Sequence, residues 1–290
     1  MLKHFAAAAL MLSLSAAALA DVHLGSQSVL VVEDGTGKVL LEKNANVVVP
    51  IASLTKLMTA MVVLDSKLDM DEEISIDKED VDLLKHSTSR VPVGAKLTRG
   101  EILQLALMSS DNRAAASLAR TYPGGPTAFK AAVNAKIRAL SMSQTRIAEP
   151  TGLSPQNTST ATDLVKMATA AAAYPEITRL TTDTRETLKI KGRAVEYHNT
   201  NRLVGAKGWD IGLSKTGYTE EAGRCLIMRM TAAGKNVSVV LLNAKASSAR
   251  LMDALNIRRF ITGADEPKMM KANGRKKAKA SKPRRRRAAS

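Results

Sequence analysis

The stretch "SLTK", Ser53–Lys56, follows the apolar run NVVVPIA (46–52) and opens a helix-like segment, LMTAMVVLD (57–65). Residues three apart on a helix share a face, with Cβ atoms roughly 5–6 Å from each other. The spacing therefore predicts a lysine amine within reach of a serine hydroxyl. A hydroxyl is a weak nucleophile near neutral pH and needs an adjacent base. A lysine serves as that base only where burial or neighbouring cations lower its pKa. Backbone N–H groups at a helix start lack intrahelical partners and can steady an oxyanion. The same tetrapeptide also arises by chance, with the serine merely capping a helix. What Ser53 and Lys56 mean thus depends on the rest of the chain.

Upstream, SVLVVEDGTGKVLLEKN (28–44) places two apolar runs around Asp34-Gly35-Thr36-Gly37, a strong hairpin signal. Downstream, SLTKLMTAMVVLD, TRGEILQLALMSSDNRAAASLAR (98–120) and GPTAFKAAVNAKIRAL (125–140) carry apolar residues at helical spacing. Thr98 with Glu101 three places later reads as a capping box that fixes a helix start. STATDLVKMATAAAA (159–173) adds another helix. From Thr187 the pattern returns to strands: TLKIKGRAVEYHNTN, IGLSKTGYT (211–219) and CLIMRMTAAGKNVSVVLLNA (225–244), the last turning at Ala233-Gly234-Lys235-Asn236. SSARLMDALNIRRFI (247–261) closes as a helix. Strands at both ends with helices between predict one sheet assembled from distant segments, with an inserted helical lobe.

Two further short stretches carry chemistry. In MSSDNRAAA, Ser110-Asp111-Asn112 interrupts a helical apolar run, where small polar residues mark a loop and Asp or Asn caps the next helix. Functionally, Ser110 can relay a proton, and the Asn112 amide, donor and acceptor at once, can hold a peptide bond. In LSKTGYT, Lys215-Thr216-Gly217 puts a glycine inside a strand, which marks either a bulge or the close approach of another backbone or a ligand. An edge strand that pairs with an extended peptide needs such access. Lys215 would supply positive charge there, and Thr216 a hydroxyl for a carboxylate. Each stretch is weak alone. In the order Ser-x-x-Lys, Ser-Asp-Asn, Lys-Thr-Gly they form the set shared by class A β-lactamases and penicillin-binding proteins.

The ends of the chain have different compositions from its body. MLKHFAAAALMLSLSAAALA (1–20) has a charged start, a short apolar middle and a small-residue exit, the pattern of a secretory leader. No later segment approaches about 18 uninterrupted apolar residues. The formal net charge of +16 is suggestive of nucleic-acid binding until it is located: eleven Lys or Arg and no acid lie in 268–290, and the body carries only about +4. This tail has almost nothing apolar to bury and repels itself, which predicts disorder. It can act as an electrostatic tether to an anionic polymer or lipid surface, or serve only as a solubilising tail. No specific nucleic-acid partner is expected. The lone cysteine, Cys225, rules out an internal disulfide and sits in a strand-like run that suits a buried thiol. His23 and His86 lack metal-ligand spacing, so neither a metal nor another cofactor is expected. His198 has no acidic partner at triad-like register and reads as a structural hydrogen-bonding residue.

Longer stretches extend the match. VVPIASLTKLMTAMVVLD, LTRGEILQLALMSSDNRAAASLA, EPTGLSPQNTSTATDLVKM, HNTNRLV and SKTGYTEEAGRCLIM resemble the serine-type D-alanyl-D-alanine carboxypeptidases and endopeptidases, the low-molecular-mass penicillin-binding proteins. The resemblance covers about 25–262, and MSSDNRAAASLARTYPGG looks closest to the endopeptidase branch. It implies a β-lactamase/transpeptidase-like fold of mixed α/β (α+β) class, an antiparallel sheet flanked by helices with an all-helical lobe inserted. Together with the composition of the two ends, it gives a domain plan of leader (1–20), penicillin-binding peptidase domain (21–265) and basic tail (266–290).

By the same resemblance, Ser53 attacks the carbonyl of a D-Ala-linked peptide bond and Lys56 takes its proton. Ser110 passes a proton to the leaving amine, Asn112 aligns the substrate and Lys215 keeps the cleft positive. Backbone N–H groups of Ser53 and Tyr218 form the oxyanion hole, beside Gly217. Thr216 contacts the substrate carboxylate, with Arg250 as the nearest candidate for a helping arginine. Peptidoglycan peptides are then the substrate, β-lactams covalent inhibitors, and the periplasm the location. Carboxypeptidase relatives often continue into a β-rich domain and an amphipathic membrane helix. Their lack here favours cross-link cleavage and a soluble or loosely attached enzyme.

Two rivals stay open on sequence. A class A β-lactamase needs a glutamate in an E-x-x-L-N pattern, whereas Glu149-Pro150-Thr151-Gly152-Leu153 puts the leucine one place late with no asparagine after it. A non-catalytic binding module would use the tail to grip cell-wall polymer or nucleic acid over a silent cleft.

Overall fold

The computed structural model describes residues 22–263. The leader and tail expectations lie outside them. Along the chain run β1 (Ser28–Glu33), β2 (Val39–Lys43), β3 (Val49–Pro50), a 3-10 turn at Ala52–Leu54, and α1 (Thr55–Asp65). Then come β4 (Glu73–Ser75), β5 (Lys96–Thr98), α2 (Arg99–Met108), α3 (Asn112–Arg120) and α4 (Gly125–Ala139). The return consists of β6 (Thr158–Ser159), α5 (Ala161–Ala171), α6 (Pro175–Thr182), β7 (Arg185–Ile190) and β8 (Arg193–His198). It ends with β9 (Asp210–Thr219), β10 (Gly223–Ala232), β11 (Lys235–Ala244) and α7 (Ser247–Thr262).

Strands from both ends meet in one five-stranded antiparallel sheet, ordered β2-β1-β11-β10-β9, so the first hairpin pairs with the last of the described strands. Side chains alternate across its two faces. Val237, Val239 and Leu241 of β11 join Ala254 and Ile257 of α7 on one face. Val240 and Leu242 join the core that contains α1 and the helical lobe on the other. This is the mixed architecture expected, with β9 on an edge, but the inserted region is not all-helical: the short antiparallel pairs β3-β6, β4-β5 and β7-β8 lie among its helices.

Helix α1 is buried on every side from Thr55 to Val63, which explains why its apolar residues show no clean stripe: a helix that is greasy all round belongs in a core. The capping box at the start of α2 is present, with Glu101 N donating to Thr98 Oγ1 at 3.1 Å and Thr98 N to Glu101 Oε2 at 2.8 Å. One helix escapes the sequence pattern. PEITRLTT, the whole of α6, is rich in threonine and β-branched residues, which are poor helix formers. Pro175 in its first turn and the burial of Ile177, Leu180 and Thr181, with the helix packed on β9 and α2, override that propensity.

Candidate active site

Ser53 lies inside the 3-10 turn, and α1 begins two residues later without any side-chain cap bond. The serine is therefore not a helix cap. Its Oγ stands 3.0 Å from Lys56 Nζ. Lys56 is buried, and its amine has two further neighbours, Asn112 Oδ1 at 2.7 Å and the Thr151 carbonyl oxygen at 2.6 Å. Both of these can only accept. Asn112 Nδ2 donates to Ser87 Oγ at 2.9 Å, which fixes which end of the amide faces the lysine.

A neutral amine has two N–H bonds and one lone pair. Here two pure acceptors take the N–H bonds, and the third neighbour is a hydroxyl that can donate. The arrangement thus suits an unprotonated lysine whose lone pair faces Ser53. Burial pushes the Lys56 amine down from its ordinary 10.5 to about 8, against the pull of the Glu149 and Asp111 carboxylates.

Asp111 caps α3, its Oδ1 accepting from Ala114 N at 3.0 Å, and so sets Asn112 on the first turn. Ser110, just before it, has φ of +62°, and Ala52 before Ser53 has φ of +47°. Left-handed backbone at non-glycine residues costs roughly 1–3 kcal/mol each and clusters where chemistry needs a particular presentation. Ser110 Oγ accepts from Lys215 Nζ at 2.8 Å, and that amine also reaches the Thr216 carbonyl at 3.0 Å. Lys215 is buried, and desolvation, then Lys56, then Arg250 push it well below the usual lysine range. Lys215 thus stands at the cleft with a second amine, Lys56, as its charged neighbour.

Gly217 explains how β9 reaches the serine. A Cβ there would lie 3.0 Å from Ser53 N and 3.1 Å from both Ala52 Cβ and the Ile51 carbonyl oxygen. Only glycine lets the strand lie against the turn. Tyr218 follows, half exposed, with the Arg224 guanidinium 3.3 Å over its ring. Thr216 Oγ1 donates to Thr200 Oγ1 at 2.7 Å. Arg250, on α7, donates to the Cys225 carbonyl at 3.1 Å and shares a hollow with Thr200, Leu226 and Ser247.

Cys225 is buried, and burial pushes its thiol up to about 11, as suits an inert packing residue. His198 stays out of the site: its Nε2 meets Glu196 Oε1 at 2.9 Å on the exposed β8 edge, so its partner is a surface carboxylate rather than an interior one.

Sequence reasoning missed what surrounds Lys56. The Thr151 carbonyl, Ser87 and Thr200 belong to none of the three short motifs. On sequence Glu149 stands only near the place of a β-lactamase glutamate. In the structure its Oε2 accepts from Thr151 N at 2.7 Å and Thr151 Oγ1 at 2.6 Å. Its Oε1 accepts from Gly152 N at 2.7 Å, Ser154 N at 3.2 Å and Asn157 Nδ2 at 3.1 Å. The clue lay in EPTGLSPQN, a short run holding two prolines, a glycine and two strong capping side chains.

The profile of the D-alanyl-D-alanine carboxypeptidase family, peptidase family S11, matches residues 15–246. A D-alanyl-D-alanine endopeptidase of Pseudomonas aeruginosa is 48% identical over 240 residues, covering 82% of this chain and 77% of its own. One from Escherichia coli is 43% identical over 281 residues, covering 96% and 90%. The crystal structure of the Streptomyces K15 DD-transpeptidase superposes with a TM-score of 0.77 at 27% identity, over 83% of this chain and 98% of that one. With its three motifs gathered around one buried amine, the chain belongs to the D-alanyl-D-alanine carboxypeptidase family of serine peptidases.

Proposed function

We propose that this protein is a serine DD-peptidase of peptidoglycan that cleaves D-Ala-linked cross-links through an acyl-enzyme on Ser53. The observation that carries the reading is the Lys56 amine, 3.0 Å from Ser53 Oγ with Asn112 Oδ1 and the Thr151 carbonyl as its other neighbours, so that in the neutral form two pure acceptors take its N–H bonds and its lone pair is left for the Ser53 hydroxyl. Lys56 takes the hydroxyl proton as Ser53 Oγ bonds to the D-Ala carbonyl carbon. The backbone N–H groups of Ser53 and Tyr218 stabilise the oxyanion, each donor lowering the barrier by about 3–4 kcal/mol. Ser110, hydrogen-bonded to Lys215, relays a proton to the departing amine as the C–N bond breaks. Water then hydrolyses the ester, one proton returning to Ser53. Asn112 aligns the peptide, and Thr216, helped by Arg250, meets its carboxylate.

Cross-link cleavage is favoured over removal of a terminal D-Ala because both highly similar relatives are named endopeptidases. Penicillin acylates the same serine and stays there. A β-lactamase needs a free carboxylate to activate the deacylating water, whereas five donors already occupy Glu149. The leader at 1–20 supports a periplasmic site of action, and the basic tail at 266–290 supports a weak electrostatic hold on anionic wall polymer or lipid. Among the described residues no helix is long and apolar enough to cross a membrane.

The test is product analysis. Wild-type and Ser53→Ala protein are incubated with cross-linked muropeptides, and the products are weighed by mass spectrometry. Severed cross-links from the wild type alone are expected. Release of alanine alone would move the activity to carboxypeptidase, and equal inactivity of both proteins would sink the enzyme reading.

A further inference from the structure

Between α4 and β6 the chain crosses behind Ser53 and Lys56 as an irregular loop, 149–157, tied at three places to the segment that bears them. Thr59 Oγ1 donates to the Pro150 carbonyl at 2.7 Å, one turn beyond Lys56, and Asn157 Nδ2 donates to Thr55 Oγ1 at 3.1 Å, one residue before it. Gly152, with φ of +87°, lies so close that a Cβ would fall 2.0 Å from the Ala52 carbonyl oxygen.

The loop's own shape is held by one carboxylate. The five donors on Glu149 come from Thr151, Gly152, Ser154 and Asn157, which closes the segment into a ring around that side chain. Asn157, fully buried, locks the ring from the other side, its Oδ1 accepting from Ala148 N at 2.8 Å and Glu149 N at 3.3 Å. The product of this construction is the Thr151 carbonyl at 2.6 Å from Lys56 Nζ.

We infer that Glu149 is a positioning residue for proton transfer: by closing loop 149–157 it fixes the Thr151 carbonyl, which holds one N–H of Lys56 so that the amine lone pair faces Ser53 Oγ. The inference rests on Lys56 being the base for Ser53. Asn112 Oδ1 alone fixes one N–H and leaves the amine free to turn about its Cδ–Cε and Cε–Nζ bonds. A second acceptor at a fixed place removes that freedom. Orientation of this kind is worth a great deal in rate, about a hundredfold for a 1 Å misplacement.

Glu149 also acts through its charge. The charged groups facing Lys56 are Glu149 from the loop, Asp111 from the α2–α3 turn and Lys215 from β9. Both carboxylates raise the Lys56 pKa. Replacing Glu149 by glutamine removes one negative neighbour, so Lys56 loses its proton at lower pH, while one acceptor oxygen becomes a donor that repels the loop's N–H groups. Position and charge are thereby separable. A loss that is merely structural lowers folded protein without moving the pH dependence.

The experiment measures the rate of fluorescent penicillin labelling per folded molecule for wild type, Glu149→Gln, Glu149→Asp and Ser53→Ala, over two pH units either side of the Lys56 value. For Glu149→Gln the expected result is a plateau rate about tenfold to a hundredfold lower, with the acidic limb displaced to lower pH. Glu149→Asp keeps the charge and loses the reach, so its plateau falls while its limb stays near that of the wild type. Should Glu149→Gln not fold, Glu149→Asp decides the matter by its plateau. A wild-type plateau and limb in the folded glutamine variant, or a lowered melting temperature with an unchanged rate per folded molecule, overturns the inference. If the wild type itself takes no label on Ser53, the failure belongs to the enzyme reading instead.

Discussion

Lys215 Nζ lies 2.8 Å from Ser110 Oγ, a bond that ties the edge strand β9 to the loop ahead of α3 and spans the cleft between sheet and helical lobe. The amine end is buried, and no carboxylate is among the groups that shift it: burial, Lys56 and Arg250 all push its pKa down. A ligand carboxylate arriving beside Thr216 supplies the missing negative charge and raises that pKa. Between the free and the bound values, binding must therefore take up protons. Calorimetric titration of Ser53→Ala protein with a D-Ala-terminated peptide, in buffers of different ionisation enthalpy, should show net uptake that shrinks in the Lys215→Met background. Proton release, or no exchange in either protein, would show that Lys215 is already charged in the free cleft.

The Lys56 amine sets the pH dependence of acylation. Its base form is the neutral one, and burial brings its pKa to about 8. Penicillin labelling should rise about tenfold per pH unit below that value and level off above it. Lys56→Arg should abolish it, since a guanidinium does not give up its proton in this range.

Stability follows the same group with the opposite convenience. The unfolded lysine holds its proton up to 10.5, while the folded one releases it near 8, so the unfolded state binds more protons between these values and stability rises with pH across that window. Below about 8 the cost is constant, on the order of 3 kcal/mol for a shift of this size. Denaturant melts of wild type and Lys56→Met should diverge between the two pH values, with the wild type gaining. Parallel curves would mean that Lys56 titrates alike in both states.

Much of this was legible in the sequence because each motif residue has a local reason to be where it is. Ser53 and Lys56 meet by helical spacing, Asp111 caps the helix that presents Asn112, and Gly217 leaves room for the Ser53 turn, which an added Cβ would crowd at 3.0 Å from Ser53 N. The apolar runs that predicted β10 and β11 reflect central strands buried on both faces. What was not legible is long-range. Thr151 contributes a backbone carbonyl, which no side-chain pattern announces, and it meets Lys56 across 95 residues of sequence. Glu149 carries a side chain that catalysts use, but its role is visible only once its five donors are counted in space. Helix α6 forms because β9 and α2 bury one face of it, against its own propensity.

Two glycines near Ser53 should behave differently when given a methyl group. At Gly217 the backbone is ordinary, and the added Cβ meets the turn at 3.0–3.1 Å, a contact relieved by a few tenths of an ångström. That displacement moves β9 away from the nucleophile, so Gly217→Ala should fold with modest loss of stability and label with penicillin at least about tenfold more slowly. At Gly152 the φ is +87° and the Cβ would overlap the Ala52 carbonyl. Gly152→Ala should therefore lose more than about 3 kcal/mol, as backbone strain adds to the clash. Melting temperature and labelling rate, measured together, separate the two. Equal destabilisation by both would contradict the close approaches described.

A substitution far from the chemistry should show the reverse split. Asp253, buried on α7, gathers the segment ahead of β1: its Oδ1 accepts from Gly25 N at 2.7 Å, and its Oδ2 accepts from Ser26 N at 2.7 Å and Ser26 Oγ at 2.6 Å. These bonds span more than 220 residues and fasten the two ends of the described chain to each other. Asp253→Ala removes the acceptor from the Gly25 N–H and from the buried N–H and hydroxyl of Ser26, and each buried group left unsatisfied costs roughly 1–3 kcal/mol. A loss of about 3 kcal/mol in a denaturant melt is the expected result. Asp253→Asn keeps one acceptor oxygen and should lose less. The α7 helix packs on the sheet face opposite α1, so the penicillin labelling rate per folded molecule should match that of the wild type in both variants. A slower rate in fully folded Asp253→Asn would mean that the seating of α7 is felt at the site, either through Arg250 one turn away or through β9 and β10, and that the anchoring role of Asp253 is not separate from the chemistry.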